Sequence, residues 1–238
     1  MKRDMILLVL CLCVLAGIGW LNPDEAVPTA AIAQEQACTL ILDAGHGGED
    51  GGASTAAGNK ESDINLAIVL KTHALMTFLG VEPSLTRNSD TSLHSSEAET
   101  IRQKKVSDLK NRVAMVEHVP NALLISVHQN HFTDPRYSGS QVFYGEGEAN
   151  RQWGEHAQEA LRQILSPEND RKAKPIPDGI YLFDHITCPA ILVECGFLSN
   201  GEEAALLCTD SYQRKVAVAL AGSYFSGVQG DLITKRGE

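Results

Sequence analysis

The chain has 238 residues, of which 43% are hydrophobic and 21% are charged, and this suits one soluble domain of roughly 200 residues with a substantial core. The formal net charge is −10. Such an acidic surface argues against nucleic acid as a partner, and solubility alone would also account for it.

The N-terminus contains an uncharged apolar run at residues 5–21 that follows two basic residues. A run of about 17 to 25 such residues can cross a bilayer, and the positive charge before it places the following residues outside. We therefore predict a membrane anchor or signal segment at residues 1–21, with an uncleaved anchor favoured over cleavage near the small-x-small tripeptide at 31–33. Residues 22–37 are rich in Pro and Ala and are predicted to be a tether.

The folded domain is expected to begin with a buried strand at residues 38–43. A glycine-rich loop follows this strand and carries His46. The next apolar pattern, at residues 61–80, has a helical period, so Glu61 falls in the first turn of a helix that starts beside the loop.

Two further apolar runs end in residues that can bind a metal or transfer a proton. The strand predicted at residues 122–128 ends in His128, and the run at 190–193 leads into Glu194 before a glycine turn. A buried, unpaired glutamate is costly, so Glu194 needs a cation, a hydrogen-bonding partner or a function.

The remaining patterns alternate between strands and helices. They predict strands at 81–87 and 140–144, an extended stretch at 181–183, and helices at 101–117, 150–165 and 210–227. This alternation indicates an α/β fold: a single domain with a twisted, mostly parallel or mixed sheet of about six strands and helices on both faces. We place the domain at residues 38–229, ahead of a C-terminal tail at 230–238.

Four candidate residues thus lie at the ends of strands or helices, where the active sites of open α/β sheets form: His46, Glu61, His128 and Glu194. Two histidines and one carboxylate with an open fourth position form a known catalytic Zn²⁺ set, and a further glutamate can act as base on the bound water. Each residue also has an ordinary structural role, such as a backbone-bonded histidine or a helix-start carboxylate. One shared site explains four such positions better than four coincidences do.

The rival nucleophile motifs G-x-S-x-G, the P-loop and HExxH do not occur in the sequence. The glycines around His46 are expected to keep the open side of the site low and accessible to a bulky substrate.

Four sequence blocks together resemble the zinc-dependent N-acetylmuramoyl-L-alanine amidases of the amidase-3 type. They are LDAGHGGEDGGA, the Glu of GNKESDINL, SVHQN and ILVECGFLSN, and they occur in the family's order over about residues 38–227. The resemblance implies that His46, Glu61 and His128 bind Zn²⁺ and that Glu194 is the catalytic base. The implied reaction is hydrolysis of the amide between the lactyl group of N-acetylmuramic acid and L-Ala of the stem peptide, so peptidoglycan strands with stem peptides would be the substrate.

The sequence departs from the family pattern in two places. Gln129 follows the second zinc histidine where many relatives have Ala, and His131 nearby is an alternative ligand, although a surface or substrate-facing position is favoured for it. The chain also passes directly from the strand at 140–144 to the next helix, without the long autoinhibitory helix that some relatives insert there.

The small size, the N-terminal segment and the stretches TIRQKKVSDLKNR and DRKAKPIPDGIYLFDH resemble the sporulation subgroup of these amidases, which acts on the spore cortex on the way to muramic-δ-lactam. This subgroup implies a location on the outer face of the cytoplasmic membrane or in the cell wall, including the forespore intermembrane space, and an envelope lipoprotein partner. Three alternatives stay open: a general cell-separation or lytic amidase, a catalytically silent wall-binding or regulatory module, and a zinc peptidase acting within the stem peptide.

Overall fold

Strands and helices alternate along most of residues 38–229, the part of the chain that the computed structural model describes. The strands of this part are β1 (Thr39–Ala44), β2 (Ser84–Leu85), β3 (Ala122–Asn130), β4 (Gln141–Tyr144), β5 (Lys174–Pro175) and β6 (Ala190–Phe197). Its helices are α1 (Glu61–Phe78), α2 (Ile101–Glu117), α3 (Glu148–Leu165), α4 (Tyr181–Asp184), α5 (Gly201–Leu207) and α6 (Asp210–Gln229).

The six described strands form one sheet in the order β2-β1-β3-β6-β4-β5. β2, β1, β3 and β6 run parallel, whereas β4 pairs antiparallel with β6, and β5 runs parallel to β4. The sheet is therefore mixed, as predicted. The carboxyl ends of β1, β3 and β6 meet at one edge, which is the edge where ligands bind in open α/β sheets.

Helices cover both faces of this sheet, which confirms the predicted α/β architecture. α1, α3 and α6 pack on one face over the larger core, where Leu42 and Trp153 are fully buried. α2 and α4 cover the other face, where Val116 and Leu182 pack against Ile41. Successive residues of β1 thus serve opposite cores, because strand side chains alternate between the two faces.

Some short elements differ from the prediction. Residues 181–183 were expected to be extended but belong to α4, a single turn in which the backbone N–H groups of Phe183 and Asp184 donate to the carbonyl of Ile180. An apolar triplet has no periodicity that would distinguish such a turn from a strand. The sixth strand is instead β5, which lies outside every predicted strand and whose proline is tolerated at the sheet edge.

Two other differences concern element length and number. Of the strand predicted at 81–87 only β2, with two residues, pairs with the sheet. The helix α5 was not predicted, although Asn200 caps it by accepting a hydrogen bond from the N–H of Glu203 at 3.0 Å.

The predicted anchor or signal segment (1–21), the tether (22–37) and the C-terminal tail (230–238) lie outside the described residues. Between residues 38 and 229 no helix is long and apolar enough to cross a membrane.

Candidate metal centre and catalytic site

The loop that carries His46 leaves β1 in an unusual backbone conformation. His46 has a φ of 62°, in the left-handed region that few non-glycine residues adopt. Two buried arginines hold the carbonyl groups of this loop: Arg87 donates to those of Ala44 at 2.9 Å and Gly45 at 3.1 Å, and Arg112 donates to those of Ala44 at 2.9 Å and His46 at 2.7 Å. These bonds fix the strained turn in one shape.

Asp43, at the end of β1, pairs with Arg112 beneath the loop. Its carboxylate accepts hydrogen bonds from Arg112 at 2.5 Å, from the hydroxyl of Ser126 at 2.6 Å and from that of Thr86 at 2.7 Å. Burial alone would raise the pKa of Asp43, but the charge of Arg112 and the two hydroxyl hydrogen bonds hold it at about 2. This network could not be predicted, because the interleaved charges of α2 give no sign that Arg112 is buried.

Glu61 opens α1 and is only 4% exposed. One carboxylate oxygen accepts a hydrogen bond from the N–H of Ala53 at 2.9 Å, and the other accepts from the N–H of Gln129 at 3.1 Å. The side-chain nitrogen of Asn65, one turn further along α1, lies 3.4 Å from the latter oxygen. The side-chain oxygen of Asn65 accepts a hydrogen bond from the side-chain amide of Gln129 at 3.1 Å. The carboxylate is therefore fixed between the loop, the helix and β3.

The same oxygen of Glu61 faces both predicted histidine ligands. It lies 3.0 Å from Nδ1 of His128 and 3.3 Å from Nε2 of His46, and the two rings meet edge to face with centroids 5.0 Å apart. Burial would raise the pKa of Glu61, but hydrogen bonds to the two histidines lower it well below its usual range. Glu61 is thus a carboxylate, the form that binds metal.

Asp50 completes this arrangement on the far side of His46. Its Oδ2 lies 3.0 Å from Nδ1 of His46, and Lys105 lies 3.0 Å from its other oxygen. Burial would lower the pKa of His46, but the hydrogen bonds to Asp50 and Glu61 raise it to about 9. Sequence analysis did not single out Asp50, although it stands four residues after His46 in the same glycine-rich block.

His46, Glu61 and His128 form a group that could hold a metal ion, with one ligand atom from each lying within 4.8 Å of the others. The structure therefore brings three of the four predicted site residues together. His131, the alternative ligand, is exposed and does not belong to the group. Gln129 is buried, and its backbone N–H donates a hydrogen bond to Glu61.

Two glycines of the loop leave room for the ligand side chains. A Cβ at position 45 would overlap the ring of His128, and one at position 52 would lie 2.5 Å from the carboxylate of Glu61 and 2.8 Å from the ring of His46. Gly52 also has a φ of 66°. Packing of the ligands thus requires both glycines, whereas the expected role of the loop glycines in substrate access stays a prediction.

Glu194 lies on β6, paired in register with His128 on β3. Both residues line a cavity of about 310 Å³ between the sheet and the helices α2 and α4, together with the apolar side chains of Leu182 and Leu192. Oε2 of Glu194 is buried, and nothing among the described residues forms a hydrogen bond with it. Burial raises the pKa of Glu194 to about 7 against the opposing charge of His128. A glutamate that lines a cavity and has a pKa near neutrality can exchange a proton with a molecule inside.

Comparison with known proteins identifies similar sequences along the same region. Residues 40–223 match the family model Amidase_3, described as N-acetylmuramoyl-L-alanine amidase. The chain is 39% identical over 184 residues to the germination-specific N-acetylmuramoyl-L-alanine amidase of Bacillus subtilis (strain 168). The aligned region covers 76% of each protein. It is 26% identical over 230 residues to the N-acetylmuramoyl-L-alanine amidase AmiA of Escherichia coli (strain K12), covering 79% of this chain and 75% of that one.

Solved structures show the same similarity. The CwlD amidase from Clostridioides difficile, solved in complex with the GerS lipoprotein, matches with a TM-score of 0.78 and 38% identity, covering 82% of this chain and 100% of that one. The catalytic domain of CwlV, an N-acetylmuramoyl-L-alanine amidase from Bacillus (Paenibacillus) polymyxa var. colistinus, matches with a TM-score of 0.66 and 25% identity, covering 81% of this chain and 99% of that one.

Proposed function

This chain belongs to the N-acetylmuramoyl-L-alanine amidase family, and on that premise we propose that its amidase activity depends on Zn²⁺ held by His46, Glu61 and His128. The enzyme is a hydrolase of the amide that joins the lactyl group of N-acetylmuramic acid to L-Ala of the stem peptide. The observation that carries the zinc proposal is the convergence of three ligand atoms within 4.8 Å beside the cavity that Glu194 lines.

The donor set fits zinc. Ligand atoms about 2.0 to 2.1 Å from a tetrahedral Zn²⁺ stand roughly 3.3 to 3.4 Å apart. The oxygen of Glu61 lies 3.0 and 3.3 Å from the two histidine nitrogens, which is close to that spacing. Asp50 on the far nitrogen of His46 is the carboxylate partner that metal-binding histidines commonly have.

The side chains of the site have distinct roles in the proposed mechanism. Zinc, when bound, supplies a Lewis acid that polarises the amide carbonyl and increases the acidity of water. The carboxylate of Glu194 accepts a proton from the attacking water and passes it to the departing nitrogen of L-Ala. Asp50 keeps the proton of His46 on Nδ1, so that Nε2 can face the metal.

Mass spectrometry of muropeptides treated with the full-length, zinc-loaded protein tests this proposal. Free stem peptide that begins with L-Ala is the expected product. A shortened stem peptide would instead identify a zinc peptidase. A protein that binds zinc but releases no product would be a silent wall-binding or regulatory module.

A role in spore cortex maturation, on the pathway to muramic-δ-lactam, is the physiological part of the proposal. It is supported by the 39% identity to a germination-specific amidase. Deletion of the gene in a spore-forming host should abolish muramic-δ-lactam in the cortex. Unchanged lactam content would favour a general cell-separation or lytic amidase.

An envelope lipoprotein is the proposed protein partner, because the similar amidase from Clostridioides difficile was solved in complex with one. Zinc content and turnover of the full-length protein, measured with and without the host's corresponding lipoprotein, test this. Equal values in both preparations would count against a partner.

The proposed location is the outer face of the cytoplasmic membrane or the cell wall, including the forespore intermembrane space. It rests on the apolar run at residues 5–21. Fractionation should find the full-length protein with membranes and a variant lacking residues 1–21 elsewhere. Equal distribution of the two proteins would contradict the anchor.

A further inference from the structure

We propose that an exposed aromatic platform, formed by Phe132, Tyr137 and Phe197, binds a sugar ring of the peptidoglycan glycan strand next to the cleavage site. This inference rests on the proposed function, because it names a subsite for the substrate of that reaction. It concerns residues outside the metal group and outside the cavity that Glu194 lines.

The three rings of the platform pack on one another and leave two of them open to solvent. Phe132 meets Tyr137 edge to face, with ring centroids 4.9 Å apart, and Tyr137 stacks on Phe197 at 6.3 Å and 29°. Phe197 is 3% exposed and forms the base, whereas Phe132 is 48% and Tyr137 47% exposed. Adjacent large apolar side chains that stay exposed mark an interaction site more often than isolated ones do.

The platform is held in place on both sides. The N–H of Phe132 donates to the hydroxyl of Ser199 at 3.1 Å. The guanidinium of Arg171 lies 4.6 Å from the centroid of Phe197 and 5.8 Å from that of Tyr137. Rings that are already fixed lose little conformational entropy when a ligand binds, so their contacts contribute more fully to affinity.

Hydrogen bonds also fix the loop between β3 and β4 that carries the two exposed rings. Asn200 donates to the carbonyl of Pro135 at 2.9 Å, and the N–H of Gly139 donates to Glu203 at 2.9 Å. The platform therefore belongs to a braced part of the surface.

The platform continues the edge of the sheet that carries the site. Phe132 follows His128 by four residues, and Phe197 follows Glu194 by three. An extended chain rises by at most about 3.4 Å per residue. The Cα atoms of His128 and Phe132, four residues apart, are therefore separated by roughly 14 Å or less. A short oligosaccharide attached at the cleavage site spans such a distance.

A sugar ring suits these side chains better than the charged stem peptide does. The face of an aromatic ring is the negative side of its quadrupole, and it attracts the C–H groups that a sugar ring presents on one face. Arg171, the cation beside the platform, already donates to the carbonyl of Ser138 at 2.7 Å and to Gln141 at 3.0 Å. The guanidinium thus braces the rings, and the exposed ring surfaces are what a ligand would contact.

Binding of a peptide-free glycan tetrasaccharide, measured by calorimetry on the full-length protein, tests the proposal. Phe132→Leu and Tyr137→Leu keep apolar volume but remove the ring, and each should weaken binding roughly 3- to 10-fold. Phe132→Tyr keeps a ring and should bind like the wild type. Phe78→Leu is the matched control, since Phe78 is 85% exposed at the end of α1 and should not affect binding.

The outcomes separate this inference from the proposed function. The tetrasaccharide lacks the amide between the lactyl group and L-Ala, so its binding does not depend on hydrolysis, and failure to release stem peptides would contradict the amidase mechanism alone. Absence of tetrasaccharide binding by the wild type, or unchanged binding by both leucine variants, would overturn the inference. The inference would also be overturned if the leucine variants weakened the binding of free stem peptide but not that of the tetrasaccharide. On polymeric substrate the leucine variants should raise KM with little change in kcat.

Discussion

Asp50 and His46 are paired so that, in the neutral imidazole that a metal would require, the carboxylate keeps the remaining proton on Nδ1. With Oδ2 of Asp50 3.0 Å from Nδ1, the proton stays on Nδ1, and Nε2 points to the oxygen of Glu61. Lys105, 3.0 Å from the other oxygen of Asp50, holds the carboxylate in turn. The orientation of a metal ligand therefore depends on a side chain that does not face the metal group.

Asp50→Ala should lower the affinity for Zn²⁺ roughly 10- to 100-fold, because the ring of His46 loses its orienting partner. Titration of the apo protein against a chelator of known affinity measures this. Glu49→Gln is the control, since Glu49 lies next to Asp50 but pairs with Lys104 at the surface. Wild-type zinc affinity in Asp50→Ala would show that the pair does not support the metal.

Gly45→Ala should impair zinc binding, because the new Cβ would overlap the ring of His128. Zinc content after dialysis, measured by atomic absorption, is expected to fall well below one ion per chain. Gly222→Ala is a matched control: Gly222 lies inside α6 with open space around its Cβ position, so alanine should keep zinc binding and stabilise the helix by about 0.5 to 1 kcal/mol. Full zinc content in Gly45→Ala would mean that the loop moves to accept the side chain.

Glu194→Gln should keep zinc and lose hydrolysis, with turnover reduced roughly 10²- to 10⁴-fold, because glutamine cannot accept the proton of the attacking water. His46→Ala should instead lose the zinc itself. Metal content and release of stem peptide are measured on the same samples, with the exposed Glu202→Gln in α5 as control. Near-wild-type turnover by Glu194→Gln would eliminate Glu194 as the base.

Asp43 should make the free energy of unfolding depend on pH in the acid range. Its folded pKa of about 2 lies below the ordinary value of 3.8, so its contribution is complete above pH 3.8 and is lost as the pH falls through 2. Between pH 5 and pH 2 the wild type should lose about 2 kcal/mol more unfolding free energy than Asp43→Asn does.

Urea unfolding at a series of pH values measures this difference for Asp43. The exposed Asp63→Asn in α1 serves as the control and should follow the wild type. Equal acid-induced losses in the wild type and Asp43→Asn would show that Asp43 is not responsible.

The four candidate residues could be singled out because each stands next to the start or the end of a strong apolar pattern, and the structure brings three of them together. His128 and Glu194 follow apolar runs within the buried strands β3 and β6, and Glu61 opens a long helix. The mixed sheet with helices on both faces followed from the same patterns, whereas β5 and α4, with two and four residues, are too short to have a period.

The supporting contacts could not be predicted in this way. Arg87 and Arg112 hold the carbonyl groups of residues 44–46 from positions 42 to 68 residues further along the chain. No local pattern encodes a partner so distant. Arg112 is surrounded in sequence by charged neighbours that face solvent, so its burial becomes visible only when α2 packs on the sheet.

The left-handed turn at His46 has a consequence for when the protein could bind the proposed Zn²⁺. Since Arg87 and Arg112 shape the turn from distant segments, an unfolded chain has the three ligands but no preformed place for an ion. If Zn²⁺ binds as proposed, its binding and the folding of the domain are thermodynamically linked, and the ion would stabilise the folded state in which Arg87 and Arg112 have shaped its site.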